Sequence, residues 1–124
     1  MTKQALILFA HGARAASWAE PFQRLQKLTQ ASLPEIRVEL AFLELMTPQL
    51  PALVEALVAD GFDALTIAPI FLGQGGHVLR DLPVMIDELR LRYPDLILKQ
   101  VEAAGENPAV LGAIRDYCVA ALNK

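Results

Sequence analysis

Residues 4–14, QALILFAHGAR, open with seven almost wholly apolar positions and turn polar at His11. An apolar run of this length is typical of a β-strand that is covered on both faces of its sheet. Residues 64–72 form a second such run, which leads into the glycine-rich segment 73–76 and then to His77. Both segments therefore predict a buried strand that ends close to a histidine.

Strand and helix patterns alternate along the whole chain. Strands are predicted at residues 4–10, 37–43, 64–72 and 96–101, and apolar residues at helical spacing follow each of them. Alternation with short connections indicates a parallel sheet with helices on both faces. Polar residues within the second and fourth strands place these two at the edges. The sequence therefore predicts one α/β domain, residues 1–124, built as a three-layer, flavodoxin-like lobe with a parallel four-stranded sheet of order 2-1-3-4.

Local signals predict where the helices begin. Ser17 to Glu20 is a capping-box pattern, but Pro21 leaves the start of that helix open by one turn. Thr47-Pro48 is a cap followed by a first-position proline, and Asn107-Pro108 repeats that arrangement before the last helix. The last helix carries an apolar stripe, which we expect to face the core together with two aromatic residues after the first strand. These expected core residues are Leu111, Ile114, Cys118, Leu122, Trp18 and Phe22.

The composition excludes several kinds of function. A net charge of −3 gives no general attraction to nucleic acid or anionic lipid, and no apolar run is long enough for a membrane span or a signal peptide. Cys118 is the only cysteine, so one chain cannot build a disulfide, a thiolate zinc site or an iron–sulfur cluster. We expect a cytoplasmic protein. Its 54% hydrophobic content is high for a soluble domain and predicts a buried interface in a homodimer.

Three side chains with metal-binding chemistry follow three predicted strands. His11 follows the first strand, Glu44 the second and His77 the third. In the order 2-1-3-4 the chain reverses direction between strands one and three, and ligands bind at the carboxyl ends of strands beside such a point. Imidazole and carboxylate groups bind divalent transition metals, and both can accept a proton. The alternative is that each histidine is a hydrogen-bonded structural residue and that Glu44 is a solvated carboxylate.

The segment around His77 also has features of an anion site. It is neither a phosphate-binding P-loop nor a dinucleotide fingerprint, so no nucleotide or other organic cofactor is expected. Gly75 and Gly76 could still expose the amino end of the next helix to an anionic group. Arg14 and Arg80 flank the two histidines and suit the recognition of carboxylates, unless they are simply surface cations.

At these residues the chain resembles the sirohydrochlorin chelatases, the class II chelatase family, in their small, single-lobe cobaltochelatase form. The resemblance depends on three motifs: residues 8–14, LFAHGAR; residues 41–44, AFLE; and residues 69–78, PIFLGQGGHV, with Asp81. It runs nearly from end to end, since the four strand–helix units match one lobe of that family's fold. The family usually has HGSR where this chain has HGAR, so a hydroxyl contact from that position is absent here.

The resemblance implies an enzyme, a lyase that inserts a divalent metal ion into sirohydrochlorin in the biosynthesis of cobalamin or siroheme. His11 and His77 would be its metal-binding and catalytic histidines, with Glu44 as an acidic residue near the metal. The metal, a substrate, would be cobalt; iron and nickel are alternatives because histidine–carboxylate sites do not select strictly among these ions. A non-catalytic carrier of metal or tetrapyrrole on the same fold is another alternative, and a flavodoxin-like phosphate or flavin module is a third.

Overall fold

The computed structural model describes residues 2–73 and 75–123, apart from the side chains at positions 76, 77 and 79. In this part of the chain four strands alternate with four helices, none of which is long and apolar enough to cross a membrane. The strands are β1 (Gln4–Ala10), β2 (Arg37–Phe42), β3 (Ala64–Pro69) and β4 (Ile97–Gln100). The helices are α1 (Glu20–Ser32), α2 (Leu50–Ala59), α3 (Gly76–Arg92) and α4 (Pro108–Ala121), with 3-10 turns at Ala16–Ala19 and Ala104–Glu106.

The described strands form a parallel sheet in the order β2-β1-β3-β4, so the order predicted from strand polarity is confirmed. β1 lies between its two partners, with Ala10 opposite Phe42 of β2 and Phe9 opposite Pro69 of β3. These three strands therefore end at nearly the same level. The loops that follow them begin side by side along the carboxyl edge of the sheet, where the candidate site was expected.

The core lies on both faces of the sheet, because successive side chains of a strand point in opposite directions. Ile7 and Phe9 of β1 are fully buried in a cluster shared with α2 and α3. Leu8 points the other way, into a smaller cluster against which Trp18 and Phe22 pack. Helices thus cover both faces, and the predicted three layers are confirmed. The two aromatic residues are only partly buried and lie at the margin of the core, so that prediction is correct only in part.

Three strands are shorter than the sequence predicts. β2 ends at Phe42 rather than at residue 43, β3 ends at Pro69 rather than at residue 72, and β4 lacks one residue at each predicted end. The apolar residues after β3 have a different role, since Phe71 is buried against β1 with its ring centroid 5.8 Å from that of Phe9. An apolar run indicates burial, and burial continues here after strand pairing stops.

The cap predicted at Thr47 is wrong, and α1 begins within the one turn that Pro21 leaves open. Ser17 lies inside a 3-10 turn, and α1 begins at Glu20 with Pro21 in its first turn. N–H groups in the first turn of a helix have no acceptor within the helix, so proline, which lacks an N–H, is tolerated there. α2 begins at Leu50 rather than after Thr47. The reason is that the N–H of Phe42 donates to the carbonyl of Pro48 at 2.9 Å, which holds that segment beside the end of β2.

The last helix begins where predicted but does not pack as predicted. Asn107 Oδ1 accepts hydrogen bonds from the N–H groups of Ala109 (2.9 Å) and Val110 (3.3 Å), as a helix cap does. However, no described residue of α4 is buried. The four apolar residues expected in the core are instead exposed: Leu111, Ile114, Cys118 and Leu122.

Candidate functional site

The loops after β1 and β2 are joined by main-chain hydrogen bonds that continue the sheet past its strands. The N–H of Leu43 donates to the carbonyl of Ala10 at 2.9 Å, and the N–H of Glu44 donates to the carbonyl of His11 at 3.1 Å. This ladder holds His11 and Glu44 next to each other at the carboxyl edge. The structure thus brings together two of the three residues that the sequence singles out for metal chemistry.

The close approach of these two loops depends on Gly12. Its φ of +98° lies in the region that residues with a side chain rarely adopt. A Cβ atom at this position would also overlap the main-chain carbonyl of Glu44. Glycine tolerates the positive φ and has no Cβ to meet the carbonyl of Glu44. Gly12 therefore allows the loops that carry His11 and Glu44 to lie this close together.

His11 and Glu44 form a side-chain pair that is open to solvent on one side. His11 Nε2 and Glu44 Oε1 are 3.3 Å apart, and the two side chains are 43% and 44% exposed. The buried ring of Phe71 lies edge-on to the imidazole, with the ring centroids 6.3 Å apart and the planes at 73°. The imidazole therefore lies beside an aromatic ring, while its side chain stays partly exposed to solvent.

The distance between these donor atoms suits a shared divalent ion. Two ligand atoms that each lie about 2.1 Å from an ion, at a tetrahedral angle, are about 3.4 Å apart. The observed separation of Nε2 and Oε1 is 3.3 Å. Among the side chains that the structure describes, no group of three His, Cys, Asp or Glu residues is placed to hold a metal. The pair therefore offers two donors, and others have to come from beyond the described side chains, from water or from a ligand.

The other residues predicted for the site lie on the flanking segments. His77 is the second residue of α3, but its side chain lies outside the described residues. Gly75 is the N-cap residue of α3 and Gly76 its first residue, so the helix begins directly after the glycine segment, as predicted. Arg14 follows His11 by three residues, and Arg80 lies in the second turn of α3; both are exposed.

Two exposed leucines near the pair were not identified by sequence reasoning. Leu45 directly follows Glu44 and has a φ of +66°, which is uncommon for a leucine. Leu72 directly follows Phe71 and is also exposed. Both occur within or after apolar runs, and such runs indicate burial. Their exposure in the structure shows that these two side chains are available to a ligand.

A concavity of about 1040 Å³ lies at the opposite, amino edge of the sheet. Its lining includes Lys3 and Arg37, and both cations already have partners. Lys3 Nζ donates to the carbonyl of Asp60 at 2.8 Å, and Arg37 Nε lies 3.0 Å from Glu39 Oε1. None of the residues predicted for the site lines this concavity. We therefore place the candidate site at the carboxyl edge, because the residues with metal-binding side chains lie there, although the concavity lies at the amino edge.

Comparison with known proteins identifies relatives over most of the chain. The CbiX family model matches residues 5–120. The sirohydrochlorin cobaltochelatase of Methanococcus aeolicus is 30% identical over 84 residues, which cover 67% of this chain and 58% of that protein. The sirohydrochlorin ferrochelatase of Bacillus subtilis is 26% identical over 112 residues, which cover 90% of this chain and 43% of that protein. The chain thus spans about half the length of these curated relatives.

A solved structure matches the fold over nearly the whole chain. The crystal structure of a protein from Marinobacter aquaeolei, described as a cobalamin (vitamin B12) biosynthesis CbiX protein, superposes with a TM-score of 0.85 and 32% sequence identity. The match covers 97% of this chain and 98% of that one. The similarity in sequence and the similarity in fold therefore point to the same family.

Proposed function

The chain belongs to the CbiX family, and on that basis we propose that it is an enzyme that inserts a divalent metal ion, cobalt, into a sirohydrochlorin-type tetrapyrrole. The observation that carries this proposal is the His11–Glu44 pair, whose donor atoms are 3.3 Å apart and whose side chains are partly exposed at the carboxyl edge. Metal transfer to a flat macrocycle needs side chains that the macrocycle can approach, and this partial exposure supports such an approach. The substrate and the metal are proposed from the relatives named sirohydrochlorin cobaltochelatase.

In the proposed reaction the metal ion is a substrate that His11 Nε2, Glu44 Oε1 and His77 hold until pyrrole nitrogens replace them. Two pyrrole N–H protons must leave the ring as a divalent ion enters it, so the charge of the ring is unchanged. Glu44 is the proposed proton acceptor, because its carboxylate lies beside His11 and is 44% exposed, so that a proton can pass from it to water. The exchange needs no electron transfer and no organic cofactor.

The proposed substrate combines an apolar macrocycle with several carboxylates, and the carboxyl edge offers contacts for both. Leu45 and Leu72 are exposed apolar side chains that the macrocycle can cover. Arg14 and Arg80 are exposed cations for its carboxylates, and the amino end of α3 at Gly75 can receive another. Because the net charge of −3 repels an anion overall, these local contacts have to supply the attraction.

Two copies of the chain are proposed to act together, with their carboxyl edges facing each other. Support comes from the 54% hydrophobic content of the chain, which is high for a soluble domain and agrees with a buried interface. A tetrapyrrole would then lie between the two copies. The cytoplasm is the proposed location, since a single cysteine fits a reducing compartment.

Anaerobic incubation with sirohydrochlorin and Co²⁺, Fe²⁺ or Ni²⁺ in turn, followed by the absorbance of the ring, tests the proposal. We expect insertion well above the uncatalysed rate, fastest with Co²⁺. Iron is the second candidate because of the ferrochelatase relative. If insertion is fastest with Fe²⁺, the proposed metal becomes iron and the proposed reaction stays the same. Binding of metal or tetrapyrrole without turnover would contradict the proposal and would identify a carrier.

A further inference from the structure

The ring of Phe71 lies between the core and the His11–Glu44 pair. It is 8% exposed and belongs to the larger buried cluster on the sheet. Its centroid is 5.8 Å from that of Phe9, at an interplanar angle of 78°, and 6.3 Å from that of the His11 imidazole, at 73°. Both contacts are edge-on, an arrangement that aromatic rings prefer. One ring thus connects a fully buried residue of β1 to the partly exposed imidazole of the site.

The parallel register of β1 and β3 explains why Phe71 lies beside His11. The register pairs Phe9 with Pro69, and two more residues along each segment lead to His11 and Phe71. The N–H of Ile70 donates to the carbonyl of Phe9 at 2.8 Å, so the two segments stay paired past the end of β3. Because side chains alternate along an extended segment, His11 and Phe71 lie on the same face as Phe9. They are therefore lateral neighbours, in agreement with their ring contact.

The main chain at Phe71 is held from two sides. On one side, the residue before it is hydrogen-bonded to β1. On the other side, the N–H of Gly105 donates to the carbonyl of Phe71 at 2.7 Å. Gly105 also lies so close to the carbonyl of Leu72 that a Cβ atom there would overlap it. The ring of Phe71 therefore cannot move away from the imidazole unless these backbone contacts break.

A fixed ring at this place limits the orientations of the imidazole. A partly exposed histidine can adopt several side-chain rotamers, and the ring of Phe71 excludes those that would turn the imidazole into its own space. In the rotamer that the structure shows, His11 Nε2 is 3.3 Å from Glu44 Oε1. A site binds its ligand better when packing fixes the side chains beforehand. Because Phe71 is buried, it offers almost no surface to a macrocycle, and its contribution to the site has to pass through His11.

We propose that Phe71 is a positioning residue, which holds the His11 imidazole in the rotamer that directs Nε2 towards Glu44. It acts through His11 and touches neither the metal nor the tetrapyrrole. The orientation of the imidazole is a property of the metal-free protein, so this part of the proposal does not depend on the proposed function. The effect of that orientation on cobalt insertion does rest on the proposed function.

Phe71→Leu and Phe9→Leu form a matched pair for the test. Each removes one ring from the same Phe9–Phe71 contact in the same buried cluster, and each should lower the urea midpoint of unfolding. Only Phe71→Leu removes the ring beside His11. A difference between the two variants at the site therefore reports the contact with the imidazole rather than a loss from the core. Phe71→Met, which keeps a large apolar side chain, replaces Phe71→Leu if that protein does not fold.

The rotamer of His11 is measured by nuclear magnetic resonance on the metal-free protein. His11 and His77 are the only histidines, so His77→Ala identifies the signals of His11. The couplings between Hα and Hβ of His11 should report one rotamer in the parent and in Phe9→Leu, and an average over rotamers in Phe71→Leu. Averaged couplings in the parent, or a single rotamer in Phe71→Leu, would overturn the proposal.

Cobalt binding and turnover then show what the fixed rotamer contributes to the reaction. Groups that orient a metal-binding histidine change metal affinity or activity by about 10- to 100-fold, so we expect Phe71→Leu to lower both the affinity for Co²⁺ and kcat about tenfold. KM for sirohydrochlorin should stay unchanged, and Phe9→Leu should stay near the parent in all of these quantities. Equal losses in the two variants would show that Phe71 acts only through the core, and would overturn the proposal. Cobalt binding without turnover in the parent would overturn the proposed function alone, since the rotamer of His11 and the affinity for Co²⁺ still report the role of Phe71.

Discussion

At the scale of single residues, Gly12 and Gly61 make a matched pair. Both have positive φ, +98° and +90°, but only a Cβ at position 12 would overlap another group, the carbonyl of Glu44. Gly61→Ala should therefore cost about 1–2 kcal/mol for the backbone conformation alone. Gly12→Ala should cost on the order of 3 kcal/mol or more and should also weaken cobalt binding, because the loops must move apart. Equal urea midpoints for the two variants would contradict this account of Gly12.

Glu44 should affect turnover more than metal binding if it accepts the pyrrole protons. Glu44→Gln keeps an oxygen ligand but removes the carboxylate that takes a proton, so we expect kcat to fall at least tenfold. The affinity for Co²⁺, measured by titration calorimetry, should fall less than kcat. Glu39→Gln changes a carboxylate in the amino half of β2, five residues before Glu44, and should alter neither quantity. A Glu44→Gln protein with normal kcat would remove Glu44 from proton transfer.

The proximity of His11 and Glu44 could be predicted from the sequence, whereas their local setting could not. Parallel strands that end at the same level bring the residues after them together, so topology alone places this pair. The close approach of Gly12 to the carbonyl of Glu44 and the positive φ of Leu45 depend on main-chain geometry. No pattern of residue types encodes such geometry, so these features appear only in the structure.

At the scale of elements, the first residue of a helix could be predicted where a side-chain cap close in sequence determines it. Asn107 caps α4 with its own side chain, which is chemistry that the sequence shows directly. Ser17 and Thr47 have the same cap chemistry, but Pro21 and the contact of Phe42 with Pro48 determine where α1 and α2 begin. Pro21 is visible in the sequence, whereas the contact of Phe42 with Pro48 is tertiary, so only the start of α2 could not be predicted locally.

The cap of α4 can be tested separately from the core. Asn107→Ala removes the acceptor of two helix N–H groups and should cost about 1 kcal/mol of local stability. Because no described residue of α4 is buried, the loss should appear as faster amide hydrogen exchange in α4, about fivefold, with β1 unchanged. Asn123→Ala, beyond the end of α4, is the control. Unchanged exchange in α4 would show that the cap does not stabilise the helix.

At the scale of the whole molecule, the predicted sheet order is confirmed, but the packing of α4 is not as predicted. An apolar stripe indicates that a helix face is covered, and it does not indicate which chain covers it. The high hydrophobic content points to an interface without locating it. The structure shows that the apolar side chains of α4 are exposed within one chain, which no pattern of residue types reveals.

The net charge of the chain predicts which residues determine the affinity for an anionic substrate. Since the chain carries a net charge of −3, binding of a polycarboxylate should depend on few cations, including Arg14. Loss of a charge-assisted contact costs about 1–3 kcal/mol, so Arg14→Ala should raise KM at least fivefold and reduce its dependence on salt. Arg92→Ala, at the opposite edge beside Glu55, should change neither. An Arg14→Ala protein with unchanged KM and salt dependence would exclude this residue from substrate binding.

The most direct test of the central claim is the rate at which histidine variants metallate sirohydrochlorin with Co²⁺ at neutral pH. His11 and His77 are the only two imidazoles in the chain, and both follow central strands. We expect His11→Ala and His77→Ala to fold, as judged by circular dichroism, and to lose at least 100-fold in rate, with Arg92→Ala as the control at the parent rate. A folded His77→Ala protein that metallates sirohydrochlorin at the parent rate would contradict the assignment of the chelatase site to this edge of the sheet.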